Sequence, residues 1–389
     1  MLFSDNYDNI FLIVYLNATK WAFQIIFEVK RVQVEKIAQA FRIDGQPISC
    51  KEFGSGHINY TVKVLTDTGS EYVLQRINKY VFKDPVRLME NVSSVTDFLR
   101  ERVEDPRMAL HFIPTHEGPF WFLDDEGEYW RVYDFIGGFC LDAPESEEDF
   151  YQSALAFGRF QHMLSEFPAH TLFETIPEFH NTIDRYRQLK ESIEANAAGR
   201  LDSVKDDVAF LMEREELGCT LQRLRESGEL PLRVTHNDTK LNNVLLDKDT
   251  RTSLCVLDLD TVMPGLSLYD FGDSIRFGAA TAAEDEQDLS KMSMDLHLFE
   301  VYTKGFLEAA TSLTDKEVEM LPMGAFVITL ELATRFMKDY LDGDLYFKTA
   351  YSEHNLVRAR AQMKLAADMQ SKMDDMNRIV AEVAKIVRN

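Results

Sequence analysis

Alternating apolar and polar residues predict a sheet in the first part of the chain. Residues 50–78 contain short runs of this two-residue period, separated by turns. Such alternation is typical of strands with one buried face. Asp-Thr-Gly-Ser at 67–70 and Asp-Glu-Gly at 125–127 mark two hairpins, and a helical period covers 84–102. These patterns predict an α+β unit built on an antiparallel sheet over residues 37–137.

Beyond Gly138 the apolar spacing becomes helical over most of the chain. Helical patterns cover 146–229 and 285–389, whereas 232–263 holds two short apolar runs around a polar loop. The last helical pattern has coiled-coil-like spacing, carried by Met369, Met373, Met376, Val380, Val383 and Val387. Because this seam spans only about three heptads, we expect it to pack on its own domain, with a dimer seam as the alternative. We expect a monomer.

Residues 1–35 precede the regular pattern and form an extension of unknown role. The segment 9–27 is apolar and aromatic, and its length approaches that of a membrane span. Asn17, Lys20 and Gln24 interrupt it, and no cationic segment precedes it, which disfavours an anchor and a signal peptide. We therefore expect a cytoplasmic protein, with a membrane anchor as the alternative.

Composition and charge narrow the choice of partners. The 389 residues include 42 Lys and Arg against 65 Asp and Glu, a formal charge of −23. Such a surface repels nucleic acids and anionic membranes, so neither is expected as a partner. The four cysteines are far apart, which argues against a disulfide framework or a structural zinc site; they are Cys50, Cys140, Cys219 and Cys255.

The polar loop between the two short apolar runs carries the candidate chemistry. It reads HNDTKLNN, with Asp238 and Asn243 five residues apart, and Asp258 lies in the following apolar run, fifteen residues after Asn243. A carboxylate can accept a proton from a hydroxyl nucleophile, while an amide and a second carboxylate can hold Mg²⁺ against phosphate oxygens. For any one of these residues alone, a turn whose Asp and Asn side chains cap their own backbone is a sufficient explanation. The spacing of all three residues together favours phosphoryl transfer.

A glycine-containing turn in the predicted sheet is a candidate phosphate-binding loop. The sequence FGSGHINYT places Gly54, Ser55 and Gly56 between two strands. Glycines allow the backbone to approach phosphates, and Ser55 and backbone amides can donate to them. A Gly-x-Gly turn alone is a weak signal, but the catalytic-type loop downstream strengthens it.

Four motifs in order resemble the aminoglycoside phosphotransferase and choline kinase superfamily. They are FGSGHINYT, VLQRIN, HNDTKLNNVLLD and LDLDTVMPGLSLYDFGDSIRFGA, and together they are similar to the N-acetylhexosamine 1-kinase branch. The resemblance runs from about residue 36 to the end. It implies an α+β, protein-kinase-like, two-lobed fold, with a small antiparallel-sheet N-lobe at 36–137. A larger, mostly helical C-lobe for catalysis and acceptor binding would follow at 138–389.

The resemblance also implies roles for the loop residues. Asp238 would be the catalytic base, and Asn243 and Asp258 the Mg²⁺ ligands. His236 would support the loop without reacting, and a satisfied structural histidine is also the preference from its surroundings. ATP would be the co-substrate.

The resemblance further implies an ATP site in the N-lobe. Asp134 and Ile136, in the segment VYDFI, would hold adenine through backbone groups. Glu90 would pair with a basic residue of the third strand, but the superfamily's usual Lys or Arg is replaced by Gln75, followed by Arg76. Since neighbouring strand residues point to opposite faces, only one of these two can reach the phosphates.

The acceptor is the least specified part of the site. Asp260, Arg335 and Tyr346 are candidate substrate contacts, because sugars need planar polar groups and aromatic faces. Arg335 and Asp339 are four residues apart, so a helix-surface ion pair is the alternative for them. Asp270 and Asp273 are expected to cap or anchor a helix start.

Taken with the resemblance, these residues predict an ATP- and Mg²⁺-dependent kinase. It would phosphorylate the anomeric hydroxyl of N-acetylglucosamine or N-acetylgalactosamine to give the sugar 1-phosphate. The alternatives are another small hydroxyl acceptor, such as choline, an amino alcohol or an aminoglycoside, and a catalytically dead kinase-like binding module.

Overall fold

The computed structural model describes residues 33–54 and 58–388. The predicted amino-terminal extension up to residue 32, and Ser55 and Gly56 of the predicted phosphate loop, lie outside the described residues. Contacts divide the chain into two compact units. One comprises the described residues up to Met89 together with His111–Ile136, and the other comprises Glu90–Leu110 and Gly137 onward.

The first unit is built on a six-stranded antiparallel sheet, which confirms the predicted fold class for this part. The strand order is β1-β2-β3-β6-β4, and β5 pairs with β6 on the same edge as β4, at the start of β6. The strands are β1 (Pro47–Glu52), β2 (Tyr60–Thr66), β3 (Glu71–Ile77), β4 (Phe112–Ile113), β5 (Phe122–Leu123) and β6 (Tyr129–Asp134). Both predicted hairpins are present, since β2 pairs with β3 and β5 with β6.

The two faces of this sheet differ in chemistry. One face packs against the helical residues 33–38 and is apolar; its core includes Ile37, Phe41, Val62, Val64, Leu74 and Val132. The other face carries Thr61, Gln75 and Arg131, which lie directly opposite one another on β2, β3 and β6. Because side chains alternate along a strand, Gln75 and Arg76 point to opposite faces.

The helix α1 (Pro85–Arg100) falls on both sides of the division between the units. Residues 90–110 were predicted as part of the N-lobe, but they cluster with the second unit. Asn91 explains this difference, because its amide donates to the carbonyls of Phe173 (2.7 Å) and Val262 (3.1 Å). Phe98 also packs edge-on against Phe167.

The second unit is mostly helical, as predicted. Two short antiparallel ladders, β7 with β10 and β8 with β9, frame its polar loop. These strands are β7 (Arg233–Thr235), β8 (Val244–Leu246), β9 (Ser253–Val256) and β10 (Met263–Gly265). The helices are α2 (Glu147–Met163), α3 (Thr182–Ala195), α4 (Lys205–Met212), α5 (Glu215–Gly218), α6 (Thr220–Glu226), α7 (Ser267–Gly278), α8 (Leu296–Ala309), α9 (Asp315–Glu319), α10 (Leu321–Asp342), α11 (His354–Ser371) and α12 (Met373–Val387).

Close packing of α7 on α10 fixes the helix that lies beside the polar loop. A Cβ atom on Gly272 would come within 2.4 Å of the Gly324 carbonyl oxygen, and one on Gly324 within 2.6 Å of the Leu268 carbonyl oxygen. The backbones can approach this closely only because both positions are glycine. The crossing holds α7, and with it Asp270, in a fixed position.

The predicted single carboxy-terminal helix is wrong, because the structure has two helices there. Lys372 separates α11 from α12, and its ammonium group donates to Asp368, Ser293 Oγ and the Met294 carbonyl. Four of the predicted seam residues are nevertheless buried; they are Met369, Met376, Val380 and Val383. In the described part of the chain, no helix is both long and apolar enough to cross a membrane.

Candidate active site

The polar loop at 236–243 is held in place by a buried carboxylate on α7. Asp270 accepts hydrogen bonds from the backbone N–H groups of His236 (2.9 Å) and Asn237 (2.8 Å), and from the Gln161 amide (2.5 Å). Burial raises the pKa of Asp270, although His236 and the hydrogen bonds from the His236 and Asn237 N–H groups act in the opposite direction. Asp270 therefore anchors the start of the loop and does not cap its own helix.

His236 lies under the loop and is fully buried. Its Nε2 lies 2.8 Å from the Leu257 carbonyl oxygen and donates to it, while its Nδ1 accepts from the Asp238 backbone N–H at 3.3 Å. Because one nitrogen donates and the other accepts, the ring is held as a single neutral tautomer. The edges of Phe157 and Phe160 pack around it. This geometry suits the predicted supporting role.

Asp238 is the one carboxylate of the loop, and its side chain is about a third exposed. Its Oδ1 lies 2.9 Å from the Lys240 ammonium, and its Oδ2 accepts from the Asn243 amide at 3.1 Å. Burial opposes the charge on Lys240, but Asp238 and Asp273 raise its pKa. Lys240 was not among the predicted site residues, although a cation two positions after the candidate base was a usable signal.

The candidate magnesium ligands are held next to each other by backbone pairing. The Leu257 N–H donates to the Asn243 carbonyl at 2.8 Å, and Asp258 follows immediately. The Asn243 amide nitrogen donates to the backbone carbonyl and the carboxylate of Asp238, so its amide oxygen points away from Asp238. Asp258 is exposed and has a left-handed backbone, with φ of 54°.

These two oxygen donors fit Mg²⁺ in a nucleotide site. Within residues 33–54 and 58–388, no three His, Cys, Asp or Glu side chains converge on a point where they could hold a metal. Mg²⁺ does not need such a cage, because it keeps several waters and binds one or two protein groups together with substrate phosphates. Asn243 and Asp258 would therefore hold the ion only with a bound nucleotide.

A polar pocket adjoins the loop within the same unit. Its walls include Glu178, His180, Arg225, Asn237, Gly265 and Tyr269. Asn237 precedes Asp238 in the chain, so the pocket reaches the residue next to the candidate base. The left-handed backbone of Asn237, with φ of 65°, and its amide bond to the Thr261 carbonyl fix this junction.

A buried cluster of charged groups lies behind the pocket wall. Glu331 on α10 is 3% exposed, and His180 Nδ1 lies 3.2 Å from both of its carboxylate oxygens. Arg335 lies 3.5 Å from Glu331, and its guanidinium stacks 5.0 Å from the Phe179 ring and 5.6 Å from the Phe347 ring. Burial alone would raise the pKa of Glu331, but His180 and Arg335 hold it below the usual value.

The predicted alternative pairing of Arg335 with Asp339 is wrong. Asp339 is 1% exposed and accepts hydrogen bonds from the backbone N–H groups that follow α10; these belong to Leu345, Tyr346 and Phe347. The Asn355 amide donates to it as well. Asp339 thus organises the turn, whereas Arg335 pairs with Glu331. Tyr346 is 65% exposed on that turn and packs against Phe347.

Asp260 does not line the pocket. It is 2% exposed in the turn after β9, and its backbone carbonyl accepts from the Thr175 hydroxyl at 3.3 Å. A carboxylate this deeply buried cannot contact a substrate without movement of the turn. The prediction that Asp260 binds substrate is therefore not supported by its position.

In the first unit, Gln75 and Arg76 occupy different environments. Gln75 shares its sheet face with Arg131, which donates to the side-chain amide oxygen of Gln75 from Nε (3.0 Å) and Nη2 (2.8 Å). Arg76 is exposed on the opposite face, 5.5 Å from the Tyr60 ring and 6.0 Å from the Trp130 ring.

The predicted hinge follows β6 in the same unit. The Phe135 N–H donates to the Glu71 carbonyl, and Asp134 Oδ2 lies 2.8 Å from His111 Nδ1. Among the described residues of this unit the Ile136 N–H makes no backbone hydrogen bond. Glu90 is exposed on α1 in the second unit, where its side chain has no hydrogen-bond or ion-pair partner within the described residues of that unit.

Comparison with known proteins identifies the family. The model of the phosphotransferase enzyme family, APH, matches residues 49–296, more than half of the chain. The chain belongs to this family.

Solved structures agree with the family at the level of the fold. An aminoglycoside phosphotransferase from Alicyclobacillus acidocaldarius has 14% identity and a TM-score of 0.59, with 89% of this chain and 96% of that chain covered. A microcompartment-associated aminopropanol kinase has 17% identity and a TM-score of 0.58, with 89% of this chain and 98% of that chain covered. An amicoumacin kinase in complex with AMP-PNP and Ca²⁺ has 15% identity and a TM-score of 0.58, with 85% of this chain and 92% of that chain covered. The kinase-like α+β fold of this phosphotransferase is confirmed.

The phosphotransferase brings together only part of the predicted site. Asp238, Asn243 and His236 contact one another directly or through one backbone group, and Asp258 follows the residue bonded to Asn243. Arg335 reaches the pocket wall through Phe179 and Glu331, whereas Tyr346 lies on the exposed turn. Residues missed from the sequence are Lys240, His180, Glu331 and Arg131.

Proposed function

We propose that this phosphotransferase transfers a phosphoryl group from ATP to the anomeric hydroxyl of an N-acetylhexosamine, giving the sugar 1-phosphate. The acceptor would be N-acetylglucosamine or N-acetylgalactosamine. The observation that carries the proposal is a pocket with planar polar and aromatic walls that extends to Asn237, next to Asp238. The order of the four motifs along the sequence supports the same substrate class.

Asp238 would act as the base for the acceptor hydroxyl. The anomeric hydroxyl is the most acidic one on such a sugar, so the carboxylate need only accept its proton as the new bond forms. The Lys240 ammonium, 2.9 Å from Asp238 Oδ1, provides positive charge beside the reacting groups. Catalysis would then consist mostly of positioning and charge neutralisation.

Mg²⁺ would neutralise phosphate charge when it is bound with ATP. Asn243 and Asp258 would hold it, through the amide oxygen directed away from Asp238 and the exposed carboxylate. In the first unit, Gly54 has open space around it and a φ of 83°, which suits a backbone that approaches phosphates. The Ile136 N–H and the Asp134 backbone would hold adenine.

The charge pattern of the pocket favours a neutral acceptor. The buried carboxylate behind the pocket wall, Glu331, is already paired with His180 and Arg335. A cationic acceptor needs an unpaired acid or an aromatic cage for its positive charge. A neutral sugar instead needs hydrogen bonds, and the His180 ring in the pocket wall carries polar nitrogens for that purpose.

A cationic amino alcohol is the second candidate, because two further carboxylates lie at the pocket. Glu174 and Glu178 are among its lining residues. Glu178 engages the Asn181 amide, while a Glu174 oxygen accepts from the Glu178 backbone N–H at 3.3 Å. Proteins of similar fold include an aminopropanol kinase and an amicoumacin kinase. These carboxylates would be the groups that bind an ammonium ion.

A turnover assay with labelled ATP and Mg²⁺ separates the two candidates. The acceptor panel contains N-acetylhexosamines, hexoses, choline, amino alcohols and aminoglycosides at equal concentrations. We expect the N-acetylhexosamines to give the highest kcat/KM. A preference for a cationic acceptor would refute the sugar assignment and favour the second candidate. Absence of turnover with every acceptor would leave only ATP binding to be tested.

We also propose that the enzyme works as a cytoplasmic monomer. Cys140, Cys219 and Cys255 are free thiols, as expected in a reducing compartment. Size-exclusion chromatography with light scattering and cell fractionation test the two parts of this proposal. A stable dimer or a membrane-bound enzyme would contradict it.

A further inference from the structure

Three side chains form a row across the polar face of the sheet in the first unit. Thr61, Gln75 and Arg131 lie on adjacent strands, and each is the direct cross-strand partner of the next. The Gln75 amide donates to Thr61 Oγ1 at 3.1 Å and accepts from Arg131 Nε and Nη2 at 3.0 and 2.8 Å. Both ends of the Gln75 amide are therefore fixed by its neighbours.

The chemistry of arginine determines which way the Gln75 amide points. A guanidinium has only donors, so the group that faces Arg131 must be the amide oxygen. The NH₂ group must then point toward Thr61, and only one of its two N–H bonds is used there. The other N–H has no acceptor among the described residues of this unit. A half-buried amide thus presents an oriented donor on the polar face.

Arg131 also brings a permanent positive charge to this face. It is 2% exposed, stacks 5.7 Å from the Phe112 ring, and has Nη1 3.9 Å from the Met89 sulfur. A guanidinium stays protonated in proteins. In surroundings of low dielectric its two hydrogen bonds polarise the Gln75 amide and make its remaining N–H a stronger donor.

We infer that Gln75 and Arg131 together replace the strand lysine that this sequence lacks. Gln75 donates through its remaining N–H to a phosphate oxygen of the nucleotide. Arg131 is a positioning residue that orients and polarises the amide, and its charge adds to the attraction for phosphate. This inference rests on the proposed function, because it requires that the first unit binds ATP.

Nucleotide binding without an acceptor tests the inference directly. MgATP is titrated calorimetrically into the full chain, and adenosine is measured by competition as a ligand without phosphates. Gln75→Glu is the decisive variant, because a carboxylate keeps both bonds from Arg131 but removes the donor. We expect MgATP binding to weaken about ten- to a hundredfold, since a hydrogen bond to a charged group is lost. Adenosine binding and Tm should change little.

Three further variants separate the roles of Gln75 and Arg131 from those of their surroundings. Arg131→Met should weaken MgATP binding about tenfold, and Arg131→Lys, which keeps the charge, should recover part of that loss. Arg76→Met removes a cation from the neighbouring position on the opposite face and should cost less than about twofold. If Arg131→Met does not fold, Gln75→Glu decides the question.

Three results would overturn the inference. One is a Gln75→Glu variant that binds MgATP within about twofold of the wild type. Another is an equal loss of MgATP and adenosine binding, which would make the row purely structural. A third is a larger loss from Arg76→Met than from Gln75→Glu. A wild-type protein that does not bind MgATP would refute this inference and the proposed function together, whereas the three other results leave the proposed function intact.

Discussion

The proposed catalytic loop and the proposed acceptor pocket belong to the same unit, but their residues are spaced very differently along the chain. The loop runs from His236 to Asn243; its side chains bond to the loop's own backbone, and its first backbone N–H group donates to Asp270. The pocket and the cluster behind it combine His180, Tyr269, Glu331 and Arg335, which are far apart in sequence. The loop's chemistry can therefore be predicted from spacing, whereas the pocket's chemistry depends on helix packing.

This difference also separates the reaction type from the acceptor. A loop that carries a base and oxygen ligands for Mg²⁺ serves phosphoryl transfer to any hydroxyl. In the proposed function the acceptor would be selected by groups such as His180 and Arg335, whose neighbours lie on α7, on α10 and in the turn after α10. Variants in the two regions should therefore affect different kinetic constants.

The largest effect is expected from the loop. Asp238→Asn should lower kcat by about 10²–10⁴, because a positioned general base is lost. The amide is isosteric, so MgATP binding and Tm should stay close to those of the wild type. Single-turnover kinetics and calorimetry measure these quantities. Retention of more than about a tenth of the wild-type rate would exclude Asp238 as the base.

The next effect is expected from the pocket. Arg335→Ala should raise the acceptor KM by roughly ten- to a hundred-and-fifty-fold, because the charged contact that holds Glu331, and through it His180 in the pocket wall, is worth about 1.5–3 kcal/mol. The ATP KM should change little. Lys338→Ala is the matched control, since Lys338 forms an i,i+4 ion pair with Asp342 on the same helix. Equal small changes in both variants would give Arg335 a purely structural role.

A variant of a candidate metal ligand should change the Mg²⁺ dependence of ATP binding, a quantity that differs from those predicted for the loop and the pocket. Asp258→Ala should shift the Mg²⁺ dependence of ATP binding by at least about tenfold, because a hard oxygen ligand is lost. Asp249→Ala removes an exposed carboxylate from the turn between β8 and β9 and serves as the charge control. An unchanged Mg²⁺ titration for Asp258→Ala would place the metal ligands elsewhere.

The smallest catalytic effect is expected at Asp339, although it lies one helical turn from Arg335. Asp339→Asn places an NH₂ group against the Phe347 N–H and the Asn355 amide, which now donate to the carboxylate. We expect a loss of about 1.5–3 kcal/mol in the free energy of unfolding, with a nearly unchanged kcat. Chemical denaturation and steady-state kinetics measure the two quantities. Loss of activity without loss of stability would contradict this assignment.

Much of the fold could be predicted because its signals are local. Alternation over 50–78 marked β1, β2 and β3, and the apolar stripe over 84–102 marked α1. The final helical pattern was misjudged because the break at Lys372 depends on Asp368, Ser293 and the Met294 carbonyl. The side chains of Asp368 and Lys372 alone would have been compatible with a continuous helix.

Contacts within the candidate site could be predicted only where the partners are close in sequence. Asp238 and Asn243 stand in one contiguous loop, so their contact followed from the spacing. Arg131 was missed because it occurs in the apolar run YWRVYDF, where only its pairing with Gln75 shows that it faces the polar side. Glu331 was missed because its partner His180 is 151 residues away.

The position of the new phosphate on the sugar tests the central claim most directly. The product formed from N-acetylglucosamine and MgATP is isolated and examined by ³¹P and ¹H NMR. The account predicts a phosphorus coupling to the anomeric proton, as a sugar 1-phosphate requires, and no product from Asp238→Asn. Coupling to a proton of another carbon, or phosphorylation only of an ammonium-bearing acceptor, would contradict it.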